Sequence, residues 1–223
     1  MMLNNKTIIV TGANGAVGQA VVEIAVAEGA SVIAVDRQFS HQRHNVRQIV
    51  LDLTDAGAVM AEIGAIDIID GLFNIAGGFA MGPTVHETGA SELEAMFATN
   101  VTTMLNMCTV VVPKMLTVQK GTIVNVGAMS AREGQGNMGA YCVAKSAVMR
   151  LTESLSKELR HFGINVNAVL PSIIDTPTNR VDMPDMDHKM WVDPHDLANV
   201  ICYLGSTRAS ALHGALLPVV GLS

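Results

Sequence analysis

The sequence predicts an α/β protein: a single doubly wound parallel sheet of about seven strands, with helices on both faces. Three observations carry that expectation. Short apolar runs alternate along the chain with longer stretches of helical periodicity, the pattern left by parallel strands and their crossover helices. The first apolar run enters a glycine-rich turn and then a helix without any linker. The chain has 223 residues, which suits one domain (1–223) with an ample core and leaves no room for a separate substrate domain.

Each element has a local signature. Thr7-Ile8-Ile9-Val10 reads as the first strand. Val17, Val21, Ile24 and Ala25 then recur on one side of a helix that Gly29 closes, and Ser31–Val35 is a second strand ending in Asp36. After a polar connection, Arg37 to Asn45, Arg47–Leu51 is the third strand, and Ala56–Ile63 is a short helix. Ile66–Phe73 is read as the fourth strand, ending in the small-residue segment Asn74-Ile75-Ala76-Gly77-Gly78. Ser91-Glu92-Leu93-Glu94 fits a capping box and opens a long helix that contains Asn100, with Pro113 expected to kink or divide it. Gly121–Val126 is the fifth strand, Gly139–Phe162 a helix stopped by Gly163, and Ile164–Leu170 the sixth strand. Residues 171–192 read as an irregular lid over the substrate. Asp193-Pro194 starts a helix to about Leu204, and Gly214–Val220 is the last strand.

The turn from Thr11 to Gly18 carries the first chemistry. Gly12 permits a sharp turn, Gly15 lets backbone approach a pyrophosphate, and Gly18 lets the helix pack on the strand. The helix N-terminus offers free N–H groups to phosphates. Asp36 ends the next strand, where a carboxylate accepts hydrogen bonds from ribose hydroxyls. Strand, turn, helix, strand and acid together point to a dinucleotide-binding, Rossmann-type unit. Arg37, His41, Arg43 and His44 follow as a positive patch, either a solvated loop or a contact to the adenosine end of the cofactor.

Composition narrows the partners. A formal charge of -6 disfavours nucleic acid. Hydrophobic content is 49%, yet no uninterrupted apolar run reaches membrane-span length, so no membrane partner is expected and the excess is assigned to buried strands and a subunit interface. The chain enters its first strand at once, with no secretory signal. Cys108, Cys142 and Cys202 are odd in number and lack metal-ligand spacing, which suggests reduced thiols in a cytoplasmic protein and no metal.

Tyr141 and Lys145 stand four apart on a helix and share a face. Downstream of a dinucleotide unit, that pair suits proton transfer: the lysine charge, with a positive nicotinamide ring, would lower the phenol pKa. The phenol then exchanges a proton with a substrate oxygen while hydride moves to or from the cofactor.

Over nearly its whole length the chain resembles the short-chain dehydrogenase/reductase family, with motifs in that family's order. Gly12, Asn14, Gly15, Ala16, Val17 and Gly18 resemble its glycine motif, and Asp52 with Leu53 its adenine contact. Asn74, Ala76 and Gly77 resemble its N-x-A-G segment. The resemblance makes Asn100 the holder of a relay water and Tyr141 and Lys145 the catalytic pair, which also reaches the cofactor. Pro171, Ile173 and Thr176 would border the nicotinamide, with Thr176 bonding its carboxamide. Asp36 and Arg37 complete the implied cofactor set.

Two features depart from the family's commoner pattern. Its catalytic serine stands thirteen residues before the tyrosine, where this chain has Ala128; Ser130, the nearest hydroxyl, is the catalytic candidate to replace it, since on an extended strand 128 and 130 point to the same side. The middle glycine is also shifted, to Gly15-Ala16. Both departures resemble the dihydropteridine reductase branch, as do Ala76-Gly77-Gly78-Phe79 and Asp175-Thr176-Pro177-Thr178-Asn179-Arg180. The expectation is an NAD(H)-dependent oxidoreductase, with NADP(H) as the alternative cofactor. It would act on a small carbonyl/alcohol pair or a quinonoid dihydropterin, as a homodimer or homotetramer. The competing class is a non-catalytic nucleotide-binding sensor or scaffold on the same fold.

Overall fold

The computed structural model describes all 223 residues, Met1–Ser223. Seven strands form one sheet: β1 (Thr7–Thr11), β2 (Ser31–Asp36), β3 (Arg47–Val50), β4 (Gly71–Asn74), β5 (Gly121–Val126), β6 (Ile164–Pro171) and β7 (Leu216–Val219). Their order is β3-β2-β1-β4-β5-β6-β7, and every adjacent pair is parallel. The order reverses between β1 and β4, and a crevice at the carboxyl ends of those strands is where such sheets bind ligands.

Side chains alternate across the sheet, so β1 feeds two cores. Ile9 joins the layer under α2 (Ala56–Gly64), α4 (Thr103–Val118) and α5 (Gly139–Leu159), whereas Ile8 and Val10 join the layer under α1 (Ala16–Ala27) and α7 (Pro194–Leu204). Two smaller helices follow β4 and β6 in the chain, α3 (Ala90–Phe97) and α6 (Pro177–Asp182), and the start of α6 borders the crevice.

Five local expectations need correction. Strand β4 begins at Gly71 rather than Ile66. Ile66 and Ile69 are buried as plugs from a loop while Ile68 is exposed, and pairing starts only where the Asp70 carboxylate accepts the Thr7 N–H at 2.9 Å. The capping box does not form. Helix α3 starts at Ala90 behind Gly89, and the Ser91 hydroxyl bonds Glu92 Oε2 at 3.0 Å, inside the first turn. Pro113 neither ends nor divides α4: it lies on the solvent face, where water can satisfy the carbonyl its ring leaves unpaired. The helical run breaks instead at a π turn, Ala98–Thr102. Residues 171–192 are not structureless, since α6 and a short 3-10 turn at His188–Met190 occupy them. Finally, the continuous helical run Ala90–Val118 is long and apolar enough to cross a membrane by length and composition. Its Met104, Met107, Cys108, Val111 and Met115 are buried in the core beside the sheet.

Candidate active site

The crevice at the switch point is a cleft of about 700 Å³. Its floor follows from the glycine turn. Gly12 has φ +62 and lies so close to the next strand's end that a Cβ would sit 2.8 Å from the Ala76 backbone nitrogen. A Cβ on Gly18 would overlap the Gly12 carbonyl, so the start of α1 can approach β1 only because that position is bare. Buried Thr11 then ties the two lips together: its Oγ1 accepts the backbone N–H groups of Ile75 and Ala76, both at 3.1 Å.

Of the residues singled out in the sequence, Gly12, Asn14, Gly15, Ala16, Val17, Gly18, Asp36, Arg37, Asp52, Leu53, Ala76, Gly77 and Thr176 line the cleft. Thirteen positions scattered over the chain therefore share one wall system, which fits an extended dinucleotide. A Cβ on Gly15 would meet only the Gly12 carbonyl, at 3.4 Å, leaving the cradle open for a phosphate. Asp36 faces this space with its carboxylate already held by the N–H groups of Asn14 (2.9 Å) and Arg37 (2.7 Å). Thr54 donates two hydrogen bonds to Asp52 through its N–H and hydroxyl, holding that carboxyl below the usual range, with Arg37 adding to the effect.

Asn74, Pro171 and Ile173 do not line the cleft. Asn74 is buried beneath the cleft, and its amide donates to Asn125 Oδ1 at 2.8 Å, so it joins β4 to β5 instead of forming the wall. Pro171 is buried at the end of β6, opposite Val219. The Ile173 carbonyl accepts the Val192 N–H at 2.9 Å, fixing the segment that leads to α6. Thr176 reaches the cleft and also caps α6, its hydroxyl accepting the Asn179 N–H at 3.2 Å.

Two of the catalytic candidates, Lys145 and Asn100, meet beside Gly77, a residue of the cleft wall. The Lys145 ammonium is buried and donates to the Val126 carbonyl at 2.9 Å. Asn100, swung inward by the π turn, is buried and clasps Gly78: its Oδ1 accepts the Gly78 N–H and its Nδ2 donates to the Gly78 carbonyl, both at 3.1 Å. A Cβ on Gly77 would lie 2.8 Å from Asn100 Oδ1 and 3.1 Å from Lys145 Nζ, so these two polar atoms face each other across that bare position. Tyr141 stands one turn before Lys145 on α5, with its ring edge-on to Phe79 at 5.0 Å between centroids.

Two site expectations change. Burial, with the Cys142 thiol beside it, pushes the Tyr141 phenol up to about 12, opposite to the lowering expected for the loaded site. Burial also brings Lys145 down to about 8. In the free protein burial sets the phenol's shift, and the Lys145 ammonium is turned toward the Val126 carbonyl. Second, Ser130 is not on an extended strand. The chain turns after Ala128 into a 3-10 turn, Met129–Arg132, and the half-buried Ser130 offers its carbonyl to the Cys142 thiol at 3.4 Å. Ala128 is buried against Ala131, Cys142, Met149 and Leu170, an apolar setting for a missing hydroxyl.

Several wall residues were not among the expected cofactor contacts. Gln19, Leu51, Thr54, Ile75, Thr99, Thr103, Pro177 and Thr178 also line the cleft. Most are ordinary in type and become neighbours only through the crossovers. Phe79 was visible as an aromatic after Gly78, but its edge-on contact with Tyr141 was not.

The protein is similar to known dehydrogenases along its length. The short chain dehydrogenase profile matches residues 6–187. A sorbitol dehydrogenase from Cereibacter sphaeroides is 35% identical over 190 residues, covering 78% of this chain and 73% of that one. Among solved structures, a short chain dehydrogenase/reductase family protein superposes with a TM-score of 0.92 at 26% identity, covering 99% of this chain and 98% of that one. A putative NAD(P) dependent gluconate 5-dehydrogenase from Beutenbergia cavernae, with bound NADP, superposes with a TM-score of 0.89 at 26% identity, covering 98% and 96%. With its cleft, its glycine turn and its Tyr141–Lys145 helix in that family's order, the chain belongs to the short-chain dehydrogenase/reductase family of NAD(P)-dependent oxidoreductases.

Proposed function

We propose that the enzyme uses NAD(H) and interconverts a small carbonyl and its alcohol, with Tyr141 as the group that gives or takes the proton. The convergence of Lys145 Nζ and Asn100 Oδ1 on Gly77, one helical turn from Tyr141 and at the lip of the cleft, carries this reading. A bound nicotinamide dinucleotide would supply the hydride acceptor or donor. The chain's own contribution is positional and electrostatic. Lys145 brings a cation to the phenol's helix face, Asn100 clasps Gly78 beside it, and the Thr11 bonds hold the lip in place.

Asp36 supports NAD(H) over NADP(H). It lines the cleft at the end of β2, where its carboxylate accepts from a free 2′-hydroxyl and repels a 2′-phosphate. The sorbitol dehydrogenase relative, by its name, acts on a polyol, and a carbonyl/alcohol pair is the chemistry of that class. A quinonoid dihydropterin is the second reading, favoured by Ala128: a substrate whose charge spreads over a conjugated ring has less need of a hydroxyl donor there. Three free, buried thiols fit a cytoplasmic enzyme.

The test is NADH oxidation across small ketones, sugars, quinones and quinonoid dihydropterin, with dissociation constants for both dinucleotides. Turnover of a ketone or sugar with tighter NADH supports the leading reading. Turnover of the pterin alone moves the assignment to the second. Tighter NADPH overturns the cofactor choice.

A further inference from the structure

Behind the adenosine end of the cleft lies a small cavity of about 10 Å³, lined in part by Asn14, Gln19, His41, Arg43 and Gln48. Asn14 and Gln19 also line the main cleft, so one wall separates the two spaces. The loop after β2 folds back onto this wall: Ser40 donates to Asn14 Oδ1 through its N–H (3.1 Å) and its hydroxyl (3.0 Å). Asn14 in turn donates its N–H to Asp36. Arg43 is thus anchored behind the residues that would meet an adenosine ribose.

Its guanidinium is engaged elsewhere. Arg43 Nη2 pairs with Glu23 Oε1 at 3.1 Å, on the outer side of α1, and the Arg43 side chain is only 21% exposed. The other carboxylate oxygen, Glu23 Oε2, lies 3.3 Å from His195 Nε2 at the start of α7. One carboxylate therefore joins α1, the β2–β3 loop and α7. Arg37, the other cation near Asp36, sits on the cleft wall close enough to act on Asp52.

We infer that Glu23 is a positioning residue for cofactor choice: by holding the Arg43 guanidinium on the outer face of α1, it leaves Arg37 alone to offset Asp36 and denies a 2′-phosphate a second counter-charge. The chain then discriminates twice, directly at Asp36 and indirectly at Glu23. Glu23 lies outside the cleft and touches no cofactor. Its effect runs through where Arg43 points, because a guanidinium released from a carboxylate is a ready phosphate ligand. This rests on the NAD(H) reading above.

The test uses the full chain and titrates NADH and NADPH against wild type, Glu23→Gln, Glu23→Gln/Arg43→Ala and His195→Ala. Releasing a partly exposed ion pair, worth at most about 1 kcal/mol, makes an arginine available at a gain of about fivefold in binding. Glu23→Gln should tighten NADPH by about that factor while NADH stays within about twofold, and adding Arg43→Ala should erase the gain. His195→Ala keeps the Glu23–Arg43 pair and should leave NADPH weak. An unchanged NADPH constant in Glu23→Gln overturns the inference, as does a gain that survives loss of Arg43. An equal gain in His195→Ala also overturns it, by showing that loosening the α1–α7 seam is what matters. Wild type preferring NADPH would defeat the Asp36 reading instead, and the Arg43 dependence of the Glu23→Gln effect would remain readable.

Discussion

Lys145 is a cation in a place that resists charge: buried, with one carbonyl as its hydrogen-bond partner. Its folded value, about 8, lies below the ordinary 10.5, so between those pH values the folded state binds fewer protons than the unfolded chain. The cost of burying the ammonium is fully present below about pH 8 and is relieved as pH rises toward 10.5. Lys145→Met should therefore abolish most turnover while melting no lower than wild type at pH 7, and the stability gap should close as pH climbs through that window. A markedly lower melting temperature at pH 7 would mean that the ammonium supports the fold. Tyr141→Phe removes only the transferable proton, so turnover should fall by roughly a hundred- to ten-thousand-fold with dinucleotide affinity unchanged. A variant within a few-fold of wild type would place the proton on another group. Ser130 turns away from the extended path that would have carried it after Ala128, and Ser130→Ala should cost less than about tenfold, short of the loss of a true oxyanion donor. A collapse in that variant, with cofactor binding intact, would give Ser130 the missing serine's task. Tyr141 and Lys145 were legible because four-residue spacing on a helix fixes a shared face. The phenol's upward shift was not, because it depends on burial that no local pattern reports.

At the level of elements, the π turn at Ala98–Thr102 does what a straight helix could not. It turns Asn100 inward to clasp both backbone groups of Gly78 and to donate to the Met96 carbonyl at 3.0 Å. Asn100→Ala strips the partners from the Gly78 N–H and carbonyl, a loss of about 1–3 kcal/mol for groups left unsatisfied. It should lower the melting temperature and, by loosening the Gly77–Gly78 lip, reduce turnover more than NADH affinity. Equal losses in both would mark Asn100 as a cofactor contact rather than a keeper of the lip. The helix itself was plain from its periodicity, but the π turn was not, since one extra residue per turn leaves no compositional trace. The expected break at Pro113 failed because a proline on the solvent face leaves its orphaned carbonyl to water. Strand β4 was overdrawn for a related reason: Ile66 and Ile69 are apolar to fill the core from a loop, not to pair. Where an element's start is stated by a side chain that caps it, as with Asp193 accepting the His195 N–H at 2.7 Å before α7, sequence and structure agree to the residue.

The whole molecule leaves apolar surface that one sheet does not cover. Leu93 on α3, Leu105 on α4 and Val143 on α5 are exposed, although the other faces of α4 and α5 are packed into the core. The same helices hold Asn100's neighbours, Tyr141 and Lys145, so whatever covers them also braces the catalytic lip. A second copy of the chain is the covering that costs no other partner, since a two-fold axis lets each helix pair meet its own mate. A stable pairing of this kind buries about 800 Å² per partner, an area that two long helices can supply. The enzyme should therefore run as a homodimer or homotetramer. Static light scattering at micromolar concentration should give two or four times the 23.5 kDa chain mass. Leu105→Glu with Val143→Glu should divide the assembly, because a carboxylate in an apolar seam must be desolvated without a partner. Turnover should fall with the loss of mass, as the unbraced α4–α5 pair lets Asn100 and Lys145 drift apart. A single 23.5 kDa species in the wild type, fully active at micromolar concentration, would show that these side chains face solvent in the working enzyme.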